Sequence, residues 1–237
     1  MAKLSKRQKA NALLVDRNTT YGANEGLDLV KKIANAKFDE TIEAHFRLGI
    51  NTRHADQQVR STVVLPAGTG KTVRVAVITK GERVKEAEAA GADFFGSEEL
   101  IAKIEGGWMD FDLLIASPDI MGALGKLGKV LGPRGLMPSP KAGTVTTEIG
   151  KAVREFKAGK VEFRADKQGI VHIPLGKASF EPTSLYTNLA ALYDAISKVK
   201  PAAAKGTYIK SVFLTSTMGP SIRLDLTRLT ELGTVNK

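Results

Sequence analysis

Between Thr41 and Ile50 polar and apolar residues alternate without a break. Ile42, Ala44, Phe46, Leu48 and Ile50 fall on one side of an extended chain, and Glu43, His45 and Arg47 on the other. A period of two is the signature of a strand buried on one face and open on the other. It predicts an antiparallel sheet with one polar face available to a partner. Val59, Ser61, Val63 and Leu65 repeat the alternation after a polar stretch, which predicts that 41–50 and 59–65 pair as a long antiparallel ribbon.

The pattern changes after Pro66. Val73-Arg74-Val75-Ala76-Val77-Ile78 is short and almost wholly apolar, as in a parallel strand covered on both faces. Residues 82–90 carry helical spacing, Ala92–Phe95 reads as a short strand, and Ser97-Glu98-Glu99 predicts a helix start capped by the serine hydroxyl. Leu113–Ala116 is a further buried strand, and Pro118 predicts a helix running to about Leu131. Strands alternating with helices imply an open α/β sheet of the Rossmann-like kind. After Gly159 the period-two pattern returns. Val161, Phe163 and Ala165 alternate, as do Val171, Ile173 and Leu175, across the turn residues 166–169. A helix is predicted over 182–199 and strands over 208–216 and 221–226, around Met218-Gly219-Pro220. Near the start, 4–18 and 25–35 have helical spacing, with Leu27, Val30, Ile33 and Ala34 on one face of the second.

The two ends thus share a style that the middle lacks. The organisation predicted is a split α+β domain from residues 1–66 and 160–237, with an α/β domain inserted at 67–159. The crossings contain Pro66, Gly68, Gly70 and Gly159, as a hinge would. Charge follows the same division. The chain of 237 residues carries a net charge of +10, and residues 67–159 hold 13 basic and 12 acidic side chains, so nine of the ten excess charges lie in the flanks. Such asymmetry points towards a nucleic-acid partner for the split domain.

Several function classes are excluded or disfavoured. The absence of cysteine removes disulfides, thiolate metal sites and cysteine nucleophiles. His45, His54 and His172 match no paired-ligand spacing, so no metal and no cofactor are expected. No apolar run reaches the ~18–20 residues of a membrane span. The basic start, Met1 to Lys9, has no apolar stretch behind it and does not read as a secretory signal. Gly68-Thr69-Gly70-Lys71-Thr72 resembles a phosphate-binding loop, but Leu65 stands where that motif needs glycine, and a strand follows instead of a helix. A nucleotide-binding α/β enzyme and a generic basic nucleic-acid binder remain the alternatives.

Four segments stand out. From Met121 to Pro138 glycine recurs every third residue, with Lys126, Lys129 and Arg134 alongside. Each glycine inside a helix costs about 1 kcal/mol relative to alanine. Either close packing of helix on sheet or a smooth backbone face for phosphates would offset this. Lys37-Phe38-Asp39-Glu40-Thr41 is either a connection with Phe38 in the core or a recognition edge, with Lys37 for phosphate, Phe38 for stacking, and Glu40 and Thr41 for 2′-hydroxyls or base edges. Thr215-Ser216-Thr217-Met218-Gly219-Pro220 makes a turn whose short hydroxyls and adaptable Met218 suit the shallow minor groove of RNA. His172 lies on the polar side of its strand, facing solvent or a partner.

Ile120 through Ser139, with its Leu-Gly-Pro-Arg-Gly-Leu-Met-Pro core, resembles the signature of the bacterial ribosomal protein L one family, the large-subunit stalk proteins. Lys37–Thr41, Leu65-Pro66 with Gly68–Lys71, and Ser216–Pro220 are similar to further motifs of that family, in order. The resemblance covers essentially the whole chain. It implies a non-enzymatic protein whose split domain binds the stalk region of large-subunit rRNA. It also implies contact with exit-site tRNA and repression of its own operon mRNA. The resemblance implies a monomer within the ribosome, cytoplasmic or in a plastid stroma, with no membrane or small-molecule partner. Carried over by motif, the RNA contacts would be Lys37, Phe38, Glu40, Thr41, Ser211, Ser216, Thr217, Met218, Gly219 and Pro220. Lys167 and His172 follow from their place in a hairpin, and Lys126, Lys129 and Arg134 would be secondary contacts.

Overall fold

In the computed structural model, which describes residues 5–16, 18–81 and 83–230, the chain opens with helices α1 (Lys6–Leu14) and α2 (Ala23–Ile33). Strands β1 (Thr41–Leu48), β2 (Arg60–Val64) and β3 (Val75–Ile78) follow, then helix α3 (Arg83–Ala89), strand β4 (Phe94–Gly96), helix α4 (Glu98–Glu105) and strand β5 (Leu113–Ala116). Short turns α5 (Met121–Leu124) and α6 (Gly128–Leu131) precede helix α7 (Ile149–Lys157). The chain continues through β6 (Lys160–Arg164), β7 (Ile170–Lys177), α8 (Pro182–Lys198), β8 (Ile209–Ser216), β9 (Ile222–Leu224) and α9 (Leu226–Thr230). The helix starts predicted at residues 4 and 82, and the first residues of the basic N-terminus, lie outside the described residues.

The residues group into two compact units, Met1–Gly70 with Val161–Lys237, and Lys71–Lys160. The division falls after Gly70, within the expected crossing of Pro66 to Gly70, and Asn188 holds the turn before it to the first unit. Its buried carboxamide accepts the Ala67 N–H at 3.0 Å and donates to the carbonyls of Gly68 at 2.9 Å and Leu175 at 2.7 Å. Gly70 has a φ of 69°, and a Cβ there would sit within 2.9 Å of the Phe180 ring, so no other residue fits without strain.

In the first unit an antiparallel sheet runs in the order β7-β1-β8-β9. Helices α2 and α8 cover one face. Leu27, Val30 and Ile33 of α2 and Leu185, Leu189, Leu192 and Ile196 of α8 meet Ile42, Ala44, Phe46 and Leu48 there. Each large side chain so buried stabilises the fold by about 1.5–3 kcal/mol. The predicted ribbon of 41–50 with 59–65 does not form. Both edges of β1 are taken by β7 and β8, and β2 pairs with β6 in a separate two-stranded sheet. Alternation specifies which face is buried but is silent on which strand lies alongside. The predicted pairing across 166–169 is likewise reduced to one bridge, Ala165 with Val171, before β6 and β7 enter different sheets.

In the second unit β4-β3-β5 form a parallel sheet. Alternate residues of β3 feed two cores. Ala76 and Ile78 pack with Leu100, Ile104, Leu124 and Leu127, whereas Val75 and Val77 pack with Ala87, Ile149, Val153 and Phe156. Burial on both faces is why this strand reads as a continuous apolar run. Ser97 makes no side-chain cap to α4, contrary to the predicted capping hydroxyl, because its backbone (φ −121°, ψ −116°) departs from capping geometry. The single helix predicted from Pro118 to Leu131 is instead a chain of short α and 3₁₀ turns. A three-residue glycine repeat matches the 3₁₀ period of 3.0 better than 3.6.

Candidate nucleic-acid interface

The face of the large sheet opposite α2 and α8 carries the polar half of each alternating strand. Because β1 and β7 pair with His45 opposite His172, the two imidazoles meet on it. Their Nδ1 atoms are 2.8 Å apart and the rings pack edge to face at 4.9 Å. His45 Nε2 lies 2.9 Å from Thr215 Oγ1 on β8. Burial holds His45 below the usual imidazole range, the neighbouring His172 pushes it further down, and Glu43 opposes both. Around this pair Arg47, Lys210 and Arg223 ring a shallow depression of about 700 Å³ whose floor includes Ser211 and Phe213. Cations, hydroxyls and one aromatic ring on an open surface suit phosphates and 2′-hydroxyls. Ser211 and His172 were predicted as contacts, and His45 and Arg47 as part of the open polar face; Lys210, Phe213 and Arg223 were not singled out. Of these, Arg223 could have been found, since it lies between buried apolar neighbours on an alternating strand.

At one end of the same sheet two distant motifs converge. Thr41 and Thr217 exchange backbone and side-chain bonds: Thr217 Oγ1 accepts the Thr41 N–H at 2.9 Å, and the Thr217 N–H donates to the Thr41 carbonyl at 3.0 Å. Lys177 Nζ donates to Thr41 Oγ1 at 3.0 Å. Beside them Glu40 is 1 % exposed, and its carboxylate accepts the N–H groups of Ala36 and Met218, each at 2.9 Å. Burial pushes the Glu40 carboxyl up, but those two donors, with Ser216 and the charge of Arg7, outweigh it and hold it below the usual carboxylate range. Asp39 in turn accepts the backbone N–H and hydroxyl of Ser179 at 3.1 and 2.8 Å.

This bracing sorts the predicted contacts. Glu40 and Ser216, both expected among the RNA contacts, are buried in the free protein. Glu40 presents its neighbours. Phe38, expected either in the core or at an edge, is 56 % exposed, and Met218 is 52 % exposed. Lys37 and Thr217 are exposed with them, and Gly219 and Pro220 are half-buried. A Cβ on Gly219 would lie 2.4 Å from the Ser216 hydroxyl, so the turn closes this tightly only with glycine. Lys167 and His172 are exposed towards the 166–169 turn, where Asp166 accepts the N–H groups of Gln168 and Ile170.

In the second unit Lys126, Lys129 and Arg134 are exposed. Gly122, Gly125 and Gly128 have nothing within 4 Å of where a Cβ would be, so close packing does not explain them. The buried positions are Leu124, Leu127 and Leu131. The glycine side is therefore a bare backbone surface beside three cations. Lys71 does not form a phosphate cradle. It donates to Asp112 at 3.0 Å, and the chain runs on into β3. The lysine, joined by the Arg74 N–H, pulls the Asp112 carboxyl down to about 2. Among the described residues no group of His, Asp and Glu side chains could hold a metal ion, and no helix is long and apolar enough to cross a membrane.

The model of the ribosomal protein L1p/L10e family matches residues 30–220. Large ribosomal subunit protein uL1 of Gloeobacter violaceus is 62 % identical over 232 residues, covering 98 % of each chain.

Proposed function

The chain belongs to the ribosomal protein L1p/L10e family, and on that footing we propose that it binds the stalk region of large-subunit rRNA through the open face and braced end of its four-stranded sheet. Membership makes it an RNA-binding constituent of the large ribosomal subunit and not an enzyme; its place is on the ribosome in the cytoplasm.

The observation that carries the finer reading is the convergence of Lys37–Thr41 with Thr217–Pro220. One backbone bond and two bonds from backbone N–H groups to side chains tie the two segments together, so Lys37, Phe38, Thr217 and Met218 present one braced edge. A braced edge of short polar and apolar groups reads the shape of RNA without reorganising. Ser211, His172 and the cations Arg47, Lys210 and Arg223 extend that edge along the strands and would hold phosphates. Lys126, Lys129 and Arg134, on the glycine surface of the second unit, would serve a further RNA such as exit-site tRNA. The crossings at Gly70 and Gly159 would act as the hinge between the two tasks. The same sheet edge would bind a similar fold in the protein's own operon mRNA and so repress translation, with one copy of the chain per ribosome.

Binding to a stalk rRNA fragment, measured as salt is varied, tests this. Specific binding that weakens with Met218→Asp and keeps a steep salt dependence supports it. Equal affinity for duplex DNA, or unchanged binding after Met218→Asp, overturns it.

A further inference from the structure

A groove of about 660 Å³ runs between α1 and the turn after β8. Gln8, Asn11 and Leu13 form one wall, and Met218, Gly219 and Pro220 the other. Asn11 sits in the interior of α1 and is only 4 % exposed. Among the described residues its carboxamide has no hydrogen-bond partner, yet it lines the groove. The carboxamide opens on the groove instead of bonding within the fold, and asparagine is a poor residue for a helix interior. Gln8 spends its side-chain oxygen on the Ser5 N–H at 2.9 Å, which keeps its own amide group at the same wall. The other surfaces are apolar and open: Leu13 is 90 % exposed and Met218 52 %. Among the described lining residues the one charged side chain is Asp16.

We propose that this groove receives a single unpaired nucleobase of the bound RNA, with Asn11 reading the base edge. The proposal rests on the RNA-binding reading above and adds a site to it. A carboxamide offers a donor beside an acceptor, the complement of a base edge. Leu13, Met218 and Pro220 offer apolar surface to the faces of a flat ring. Asp16, the one charged side chain among the described lining residues, disfavours a phosphate beside it. Met218 belongs both to the groove and to the braced edge, so a nucleotide leaving a helix bound at that edge lies within reach of Asn11.

The test uses the full chain and a stalk rRNA fragment whose unpaired nucleotides are replaced one at a time by abasic residues. Asn11→Ala is expected to weaken binding to the intact fragment roughly tenfold, the value of one base-edge contact. On one abasic fragment, and only that one, the substitution is expected to cause no further loss. Leu13→Asp, at a position too exposed to unfold the chain, is expected to show the same single-fragment dependence. Unchanged binding of both variants to intact RNA overturns the proposal and leaves the groove to a protein partner. A loss of equal size on every abasic fragment also overturns it. Failure of the unsubstituted chain to bind the intact fragment would instead overturn the RNA-binding reading, and the groove assignment with it.

Discussion

The carboxylate of Glu40 accepts the backbone N–H of Met218 at 2.9 Å across a sequence separation of 178 residues. Its second oxygen accepts the Ala36 N–H at the same distance. One buried side chain thus fixes the end of α2's connection to the turn that closes β8. It is the bracket by which an exposed methionine keeps a defined position.

Glu40→Gln replaces one acceptor oxygen with a donor, so either the Ala36 or the Met218 N–H loses its partner. A buried donor left unpaired costs about 1–3 kcal/mol. Denaturant unfolding is expected to show a loss in that range, and RNA affinity is expected to fall with it because the turn of Met218 loses its anchor. Full affinity in a destabilised Gln variant would show that Met218 holds its place without the bracket.

Thr217→Val removes the acceptor for the Thr41 N–H at the exposed edge. The expected cost is about 1 kcal/mol of stability, with a larger loss of specific than of general RNA binding. Lys37→Ala leaves the bracing intact and is expected to lower the slope of log affinity against log salt by about 1. Comparing the two salt titrations separates a positioning role from a phosphate contact.

The Asp112 carboxyl lies near 2 when folded, against an ordinary value of 3.8. Its folded value is depressed, so the stability it contributes is present above about pH 4 and is lost as pH falls towards 2. Lys71 is largely exposed, and screening reduces the contribution to about 1 kcal/mol. Asp112→Asn is expected to lower stability by that amount at pH 7 and to cost little at pH 2. A constant difference at both pH values in urea melts would contradict the assignment.

His45 is held below its ordinary value of 6.5 by burial and by His172. The unfolded chain therefore takes up this proton first, and His45 costs stability as pH falls below about 6.5. His172→Ala removes both the neighbouring charge and some cover, so the His45 titration followed by NMR is expected to move up. A downward shift would place the dominant influence elsewhere, since Glu43 is the opposing charge.

Much of this architecture is legible in the residue pattern because burial dictates periodicity. Ile42 to Leu48 alternate since α2 and α8 cover one face of β1 only, and Val75 to Ile78 do not alternate since both faces of β3 are covered. Strand partners were not legible. Nothing in Val59–Leu65 says that β1 is already paired on both edges. The hold of Asn188 on residues 67 and 68 was not legible for a similar reason: it comes from far along the chain, by hydrogen bonds that leave no local trace.

The candidate interface divides in the same way. Residue types and spacing by themselves determined which segments carry recognition chemistry, because side-chain groups and turn-forming glycines are local properties. Only the tertiary structure decided what each residue does there. Glu40 and Thr41 are adjacent and both polar, yet sheet closure buries one carboxylate as a brace and leaves its neighbour half-buried. Asn11 is an ordinary polar residue in a helical pattern until the fold sets the turn of Met218 beside it. Burial and partnership depend on chain that returns more than 170 residues later, and the cost of an unpaired buried group is set there.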